Sequence, residues 1–208
     1  MIPPLAPLEA HGVRLEPFEA SHIPAVLAAA RDQTLWTWWP RDMRTEQTRA
    51  DTFDWLLAEQ AAGRWRVWCV VGADGAVLGQ SWYLALRPEH RGLEIGGTWY
   101  VRAAQGGLVN PVAKRLLLGR AFAHGIERVE IKTDALNAHS RRAIEKLGAT
   151  FEGVFRRHLL MPDGRWRDTA WYSVLREEWP AIEVRLAARI DALRRDQAGS
   201  EPDAPARS

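Results

Sequence analysis

Between Arg128 and Gly148 the spacing of apolar residues passes from a period of two to one of about 3.6. Val129, Ile131 and Thr133 share one face of a short strand over 128–134; a turn and an amphipathic helix over 138–147 follow. Gly148 closes that helix, as a residue tolerant of the left-handed conformation should. Asn137 and Ser140 fall at the junction, where a helix start offers unpaired amides and an exposed hydroxyl.

The same reading predicts a strand over 13–16 and a helix over about 22–31 capped by Ser21, with Pro24 tolerated in its first turn. A loop carries Trp36, Trp38, Trp39 and Pro40. Thr45 is the predicted cap of a second helix, 46–62, with Phe53, Leu56 and Leu57 on one side. Strands over 65–71 and 76–86 flank the turn Gly72-Ala73-Asp74-Gly75 as a hairpin. A strand over 93–101 contains Gly96-Gly97, and glycines inside a strand mark a bulge or a close approach to the backbone. Asn110 reads as the cap, and Pro111 as a first-turn residue, of a helix over 111–124. Strands over 151–161 and 166–175 join through Pro162-Asp163-Gly164-Arg165. A last helix, 180–195, puts Ile182, Leu186, Ile190 and Leu193 on one stripe.

This order predicts an α/β fold with a mixed, mostly antiparallel sheet flanked by helices, not a doubly wound nucleotide fold. The 208 residues suit one domain over 1–197. The segment AGSEPDAPARS, 198–208, lacks apolar anchors and is expected to be a disordered tail.

Composition narrows the function classes. No apolar run approaches membrane-spanning length, and MIPPLAPLEA lacks the basic region of a signal peptide, so a cytoplasmic protein is expected. With 28 cations against 26 anions, no nucleic-acid surface is indicated. Six histidines without ligand spacing argue against a metal site. The single cysteine, Cys69, sits in the apolar run 67–71 and reads as a core residue rather than a nucleophile. Eleven tryptophans are the anomaly: they fill core or interface space and also suit a pocket that encloses a ligand.

Gln105-Gly106-Gly107-Leu108-Val109-Asn110 runs straight into a helix, a layout suited to a phosphate-bearing ligand. Together, QGGLVNPVAKRLLLGRAF and RVEIKTDALNAHSRRAIEKLGATFEG resemble the GNAT acetyltransferase superfamily. More narrowly they are similar to its ribosomal-protein N-terminal acetyltransferase branch, the RimJ/RimL-like enzymes. The resemblance extends to the order of elements over about 10–180 and implies the GNAT fold, with acetyl-CoA as co-substrate. In that family a Gln/Arg-x-x-Gly-x-Gly/Ala loop wraps the pyrophosphate of the coenzyme. Gln105 matches its first position, while Leu108 and Asn110 stand where small residues are expected, so Leu108 would crowd the phosphates.

The resemblance implies direct acetyl transfer to a primary amine. It places a carbonyl-polarising backbone amide on the Gly96-Gly97 strand leading to Tyr100, and a pantetheine contact at Asn137. Ser140 would give a proton to the departing thiolate, and Glu94 is the candidate base for the acceptor ammonium, with His139 and His158 behind it. The bland readings are helix capping for Asn137 and Ser140 and a solvated strand end for Glu94. The implied partner is an amine, either a peptide N-terminus or a small molecule, with no nucleic acid and no membrane; a second copy of the chain is a further candidate. The alternative in a different class is a non-catalytic acyl-CoA binder or sensor on the same fold.

Overall fold

The computed structural model describes residues 2–199. Eight strands form one sheet: β1 (Leu8–Ala10), β2 (Val13–Pro17), β3 (Arg66–Val71), β4 (Val77–Arg87), β5 (Gly92–Tyr100), β6 (Arg128–Asp134), β7 (Thr150–Leu160) and β8 (Trp166–Leu175). Their spatial order is β1-β2-β3-β4-β5-β6-β8-β7. Every neighbouring pair is antiparallel except β5 and β6, which run parallel. The helices are α1 (Ile23–Ala29), α2 (Glu46–Ala61), α3 (Val109–Ala123), α4 (Ala138–Leu147) and α5 (Trp179–Gly199).

The strands alternate side chains between two cores. On one face Tyr83, Leu93, Ile95, Val129, Ile131, Tyr172 and Val174 pack with Leu117 and Leu118 of α3, Ile144 and Leu147 of α4, and Ile182, Leu186 and Ile190 of α5. On the other, Val67, Cys69, Val71 and Trp82 pack with Val26 of α1 and Phe53 and Leu56 of α2. The predicted stripes on the second and last helices are therefore their buried faces. Thr45 caps α2 through a reciprocal box in which its hydroxyl accepts the Thr48 amide at 3.1 Å. Gly148 ends α4 at φ +99°.

Three local expectations need correction. Ser21 caps nothing: His22 Nδ1 accepts the Glu19 amide at 3.1 Å, making a short 3-10 turn over Ala20–His22 that feeds α1. Asn110 is not the cap of α3, because the helix begins at Val109 with Leu108 at its N-cap. Leu108 and Val109 both pack onto the core beneath α3, which draws the first turn upstream. Strand β1 was not foreseen; it pairs with β2 across His11 and Gly12, both at positive φ, as a two-residue hairpin turn requires. The last helix extends through Gly199, two residues into the expected tail; 200–208 lie outside the described residues. Among the described residues no helix is long and apolar enough to cross a membrane.

Candidate active site

The parallel pair β5–β6 is the origin of the site. Its register covers only Gly92 with Arg128, Leu93 with Val129 and Glu94 with Glu130. Beyond Glu94, β5 stays with β4 and β6 stays with β8, so the two strands part in the middle of the sheet. Register shifts against β4 mark a bulge where Gly96-Gly97 falls, as the sequence predicts. Gly97 adopts φ +55°, and a Cβ there would lie 1.9 Å from the indole ring of Trp82. Only glycine meets both demands.

Glu94 is no solvated strand end. It is 2% exposed, and its Oε2 lies 2.8 Å from Lys132 Nζ. Its Oε1 folds back over Gly96, 2.7 Å from where a Cβ would stand. Burial pushes its carboxyl up from the ordinary carboxylate value, and Lys132 pulls against that shift. The neighbours on the same sheet face are also charged and paired: Glu130 with Arg87 at 2.9 Å and Arg128 at 3.1 Å, and Asp134 with Arg165 at 2.6 Å. His158, on β7, bonds Thr169 Oγ1 at 3.0 Å, and burial holds its imidazole below the usual range. His139 is exposed at the start of α4. A cleft of about 250 Å³ opens on this face among Arg87, Arg128, Glu130, Glu152, Phe155 and Trp171. Another, of about 470 Å³, lies away from these residues, near Ile2, Arg64, Trp65 and Pro88.

The Gln105–Asn110 segment flanks the other side of the opening. Gln105 Nε2 donates to the Tyr100 carbonyl at 2.8 Å, tying the loop to the end of β5. Gly106, at φ +77°, and Gly107 border open space. The start of α3 carries no side-chain cap, so its first amides keep their donors. Leu108 is half-buried and packs against the core beneath α3. Tyr100 is buried, and its hydroxyl has no hydrogen-bond partner among the described residues. At the end of β6, Asn137 Oδ1 accepts the Ser140 amide at 3.0 Å. Asn137 is thus the cap of α4, and the half-buried Ser140 is the capped residue.

Lys114 was missed by sequence reading. It is 7% exposed within α3, and its Nζ donates to Thr98 Oγ1 at 2.7 Å and Ser81 Oγ at 3.4 Å. Burial pushes its ammonium down to about 7. Its signal was legible: Lys114, Leu117, Leu118 and Ala121 share the helical spacing of a buried face.

The loop tryptophans join a continuous chain of rings, edge-to-face at every link but the last, which is tilted. Trp36 meets Trp99 and Trp39 at 5.2 Å each, Trp39 meets Trp82 at 5.5 Å, and Trp82 meets Trp65 at 5.3 Å. Trp36 is buried as a plug, whereas Trp38 stays half-buried with the Arg165 guanidinium 5.8 Å from its ring. The loop is thereby drawn to the β7–β8 turn, and it lies against the sheet face that carries Glu94.

An open mixed sheet whose parallel pair parts beside a glycine loop and a buried carboxylate defines an acyl-transfer fold. The match of residues 13–150 to the Acetyltransferase (GNAT) domain establishes that the chain belongs to the GNAT acetyltransferase family. No protein of curated function matches the sequence. Among solved structures, a T. thermophilus protein described as an acetyltransferase is 38% identical with a TM-score of 0.79, covering 88% of this chain and 96% of that one. A GCN5-related N-acetyltransferase from Brucella melitensis is 30% identical with a TM-score of 0.83, covering 90% and 86%. Mycobacterium smegmatis RimJ in complex with CoA-disulfide is 26% identical with a TM-score of 0.77, covering 91% and 97%.

Proposed function

We propose that this protein transfers an acetyl group from acetyl-CoA to a primary amine within a ternary complex. The observation that carries the reading is the opening between β5 and β6, with the Glu94 carboxylate on its wall and the uncapped start of α3 at its mouth. Gly106, Gly107, Leu108, Val109 and Asn110 would supply the amides that hold the pyrophosphate, and Gln105 keeps that loop on β5. The packing of Leu108 against the core and the open space at the glycines fit such a group. Tyr100 lies at the base of the loop, and Asn137 borders the far end of the opening.

Acetyl-CoA supplies the activated acyl group; the chain positions the amine and moves protons. Glu94 accepts the proton of the acceptor ammonium, directly or through water, and its raised pKa makes it a better base than an ordinary carboxylate. The free backbone edge of β5 at the bulge offers amides to polarise a carbonyl. Ser140 relays to the thiolate the proton that the nitrogen of the tetrahedral intermediate loses, so its own hydroxyl is restored; a thiol of pKa about 8.5 is a tolerable leaving group and needs only modest help. Direct transfer is favoured because Cys69 is fully buried and its thiol is pushed up to about 12.

The test is acetyl-CoA turnover against peptide N-termini, aminoglycosides, polyamines and amino-acid derivatives, with a melting curve run in parallel. A rise in melting temperature together with thiol release supports the reading. Stabilisation without turnover of any amine would make the protein an acyl-CoA binder, and neither effect would refute the reading altogether.

A further inference from the structure

The sheet face that carries Glu94 holds one charge too many. Each acidic group along it has a basic partner: Glu94 has Lys132, Glu130 has Arg87, Glu152 has Arg128 (which also reaches Glu130), and Asp134 has Arg165. Arg167, on β8 of the same face, is 6% exposed and makes no ion pair among the described residues. Its Nε donates to Thr169 Oγ1 at 3.1 Å, and its two terminal nitrogens have no hydrogen bond among those residues. The guanidinium is thus nearly buried yet reaches solvent only through its terminal nitrogens, and a cation so placed without a carboxylate partner gains most from a ligand that brings one.

The surroundings say where the guanidinium lies. Ala135 N–H donates to the Asp168 carbonyl at 2.9 Å, which sets Arg167 beside the end of β6, where the strand leaves the sheet toward Asn137 and Ser140. Burial lowers its proton affinity, and the Asp134 and Glu94 carboxylates are close enough to pull against that shift. Thr169 bonds both Arg167 and His158, while Arg165, two residues before Arg167, reaches toward the ring of Trp38. The free donors therefore lie near Asp134, Glu94 and the end of β6.

We propose that Arg167 binds a carboxylate on the acceptor, and that the acceptor is a free amino acid whose amine meets Glu94 while its carboxylate meets the Arg167 fork. A planar guanidinium with free parallel donors is the natural receptor for a carboxylate, and one already largely desolvated loses little more when the ligand arrives. The arrangement disfavours a peptide N-terminus, whose first carboxyl is an uncharged amide and would leave Arg167 unpaired. This inference rests on the acyltransferase reading of the same site.

The test pairs each of the common amino acids with its C-terminal amide in an acetyl-CoA turnover assay, alongside peptides with free N-termini. Amino acids should exceed their amides in kcat/KM by about 10- to 100-fold, the range of one charge-assisted hydrogen bond. Arg167→Met should bring that ratio close to one, mainly through KM, while the melting temperature holds or rises because a buried unpaired charge has gone. Arg167→Lys keeps a cation without the fork and should restore part of the preference. Equal use of acids and amides by the wild type, or a preference for peptides, overturns the proposal; so does a ratio that survives Arg167→Met. Should no amine be turned over, the acyltransferase reading fails by itself, and the inference is judged by melting shifts with millimolar amino acids in the presence of CoA. A shift given by acids but not amides, and lost in Arg167→Met, keeps it; no shift with any amino acid ends it.

Discussion

Gly97 lies against the Trp82 indole so closely that a methyl group at its Cα would stand 1.9 Å from a ring carbon. The contact locks the β5 bulge to β4 at the point where the backbone must leave regular pairing. Gly97→Ala should combine overpacking of about 1–3 kcal/mol with the penalty of φ +55° for a residue bearing Cβ. Chemical denaturation should record a loss of at least about 2 kcal/mol, and acetyl-CoA turnover should fall with it. A variant of wild-type stability would mean that the bulge is not held by this ring.

Glu94 and Lys132 make a pH prediction. Burial raises the Glu94 carboxyl, and Lys132 is the main force lowering it again. A base must be ionised, so turnover should rise with pH through that elevated pKa, and Lys132→Met should move the acidic limb to higher pH. The same raised pKa means the folded chain binds more protons than the unfolded chain over that interval, so Glu94 costs stability as pH climbs through it. Glu94→Gln should lower kcat by about 100-fold or more and remove the limb. An unchanged acidic limb in Glu94→Gln would take this residue out of the mechanism.

Lys114 gives the opposite linkage from a basic group. Its folded value of about 7 lies below the ordinary 10.5, so between those limits the unfolded chain holds more protons. Stability should therefore rise with pH from about 7 to about 10.5, with the full burial penalty present below that window. Lys114→Met should flatten the rise and add roughly 1 kcal/mol or more at neutral pH. The Ser81 and Thr98 hydroxyls, 2.8 Å apart, still bond each other in this variant. Denaturant titrations at several pH values decide the matter, and parallel curves for the two proteins would contradict it.

Asn137 and Ser140 separate by what each mutation damages. Asn137 supplies the cap of α4, so Asn137→Ala should cost about 1 kcal/mol and weaken acetyl-CoA binding. Ser140 contributes only its backbone amide to that cap, so Ser140→Ala should leave stability nearly intact. As the proton donor it should lower kcat by about 100-fold while KM for acetyl-CoA stays put. Normal turnover in Ser140→Ala would assign the proton to water.

Strands and helices were legible wherever a single period governs a segment. The ranges 128–134, 138–147 and 166–175 match β6, α4 and β8 to the residue, because each buries one face against a large core. Gly96-Gly97 announced the bulge, and Gly148 the helix end, because backbone conformations open chiefly to glycine leave their mark on composition. The glycine loop and the residues Asn137 and Ser140 were visible for the same local reason.

Tertiary structure decided the rest. The start of α3 moved upstream because Leu108 and Val109 found a core that no local cap signal could announce. Whether Glu94 ends in solvent or under Lys132 depends on β6 lying beside β5, a pairing between residues 36–38 positions apart, as from Gly92 to Arg128 and from Glu94 to Lys132. Arg167 looks like any strand arginine until the sheet has given every nearby carboxylate to another cation. Sequence period fixes which way a side chain points; only the packed sheet sets its neighbours, and with them the cost of burying a charge.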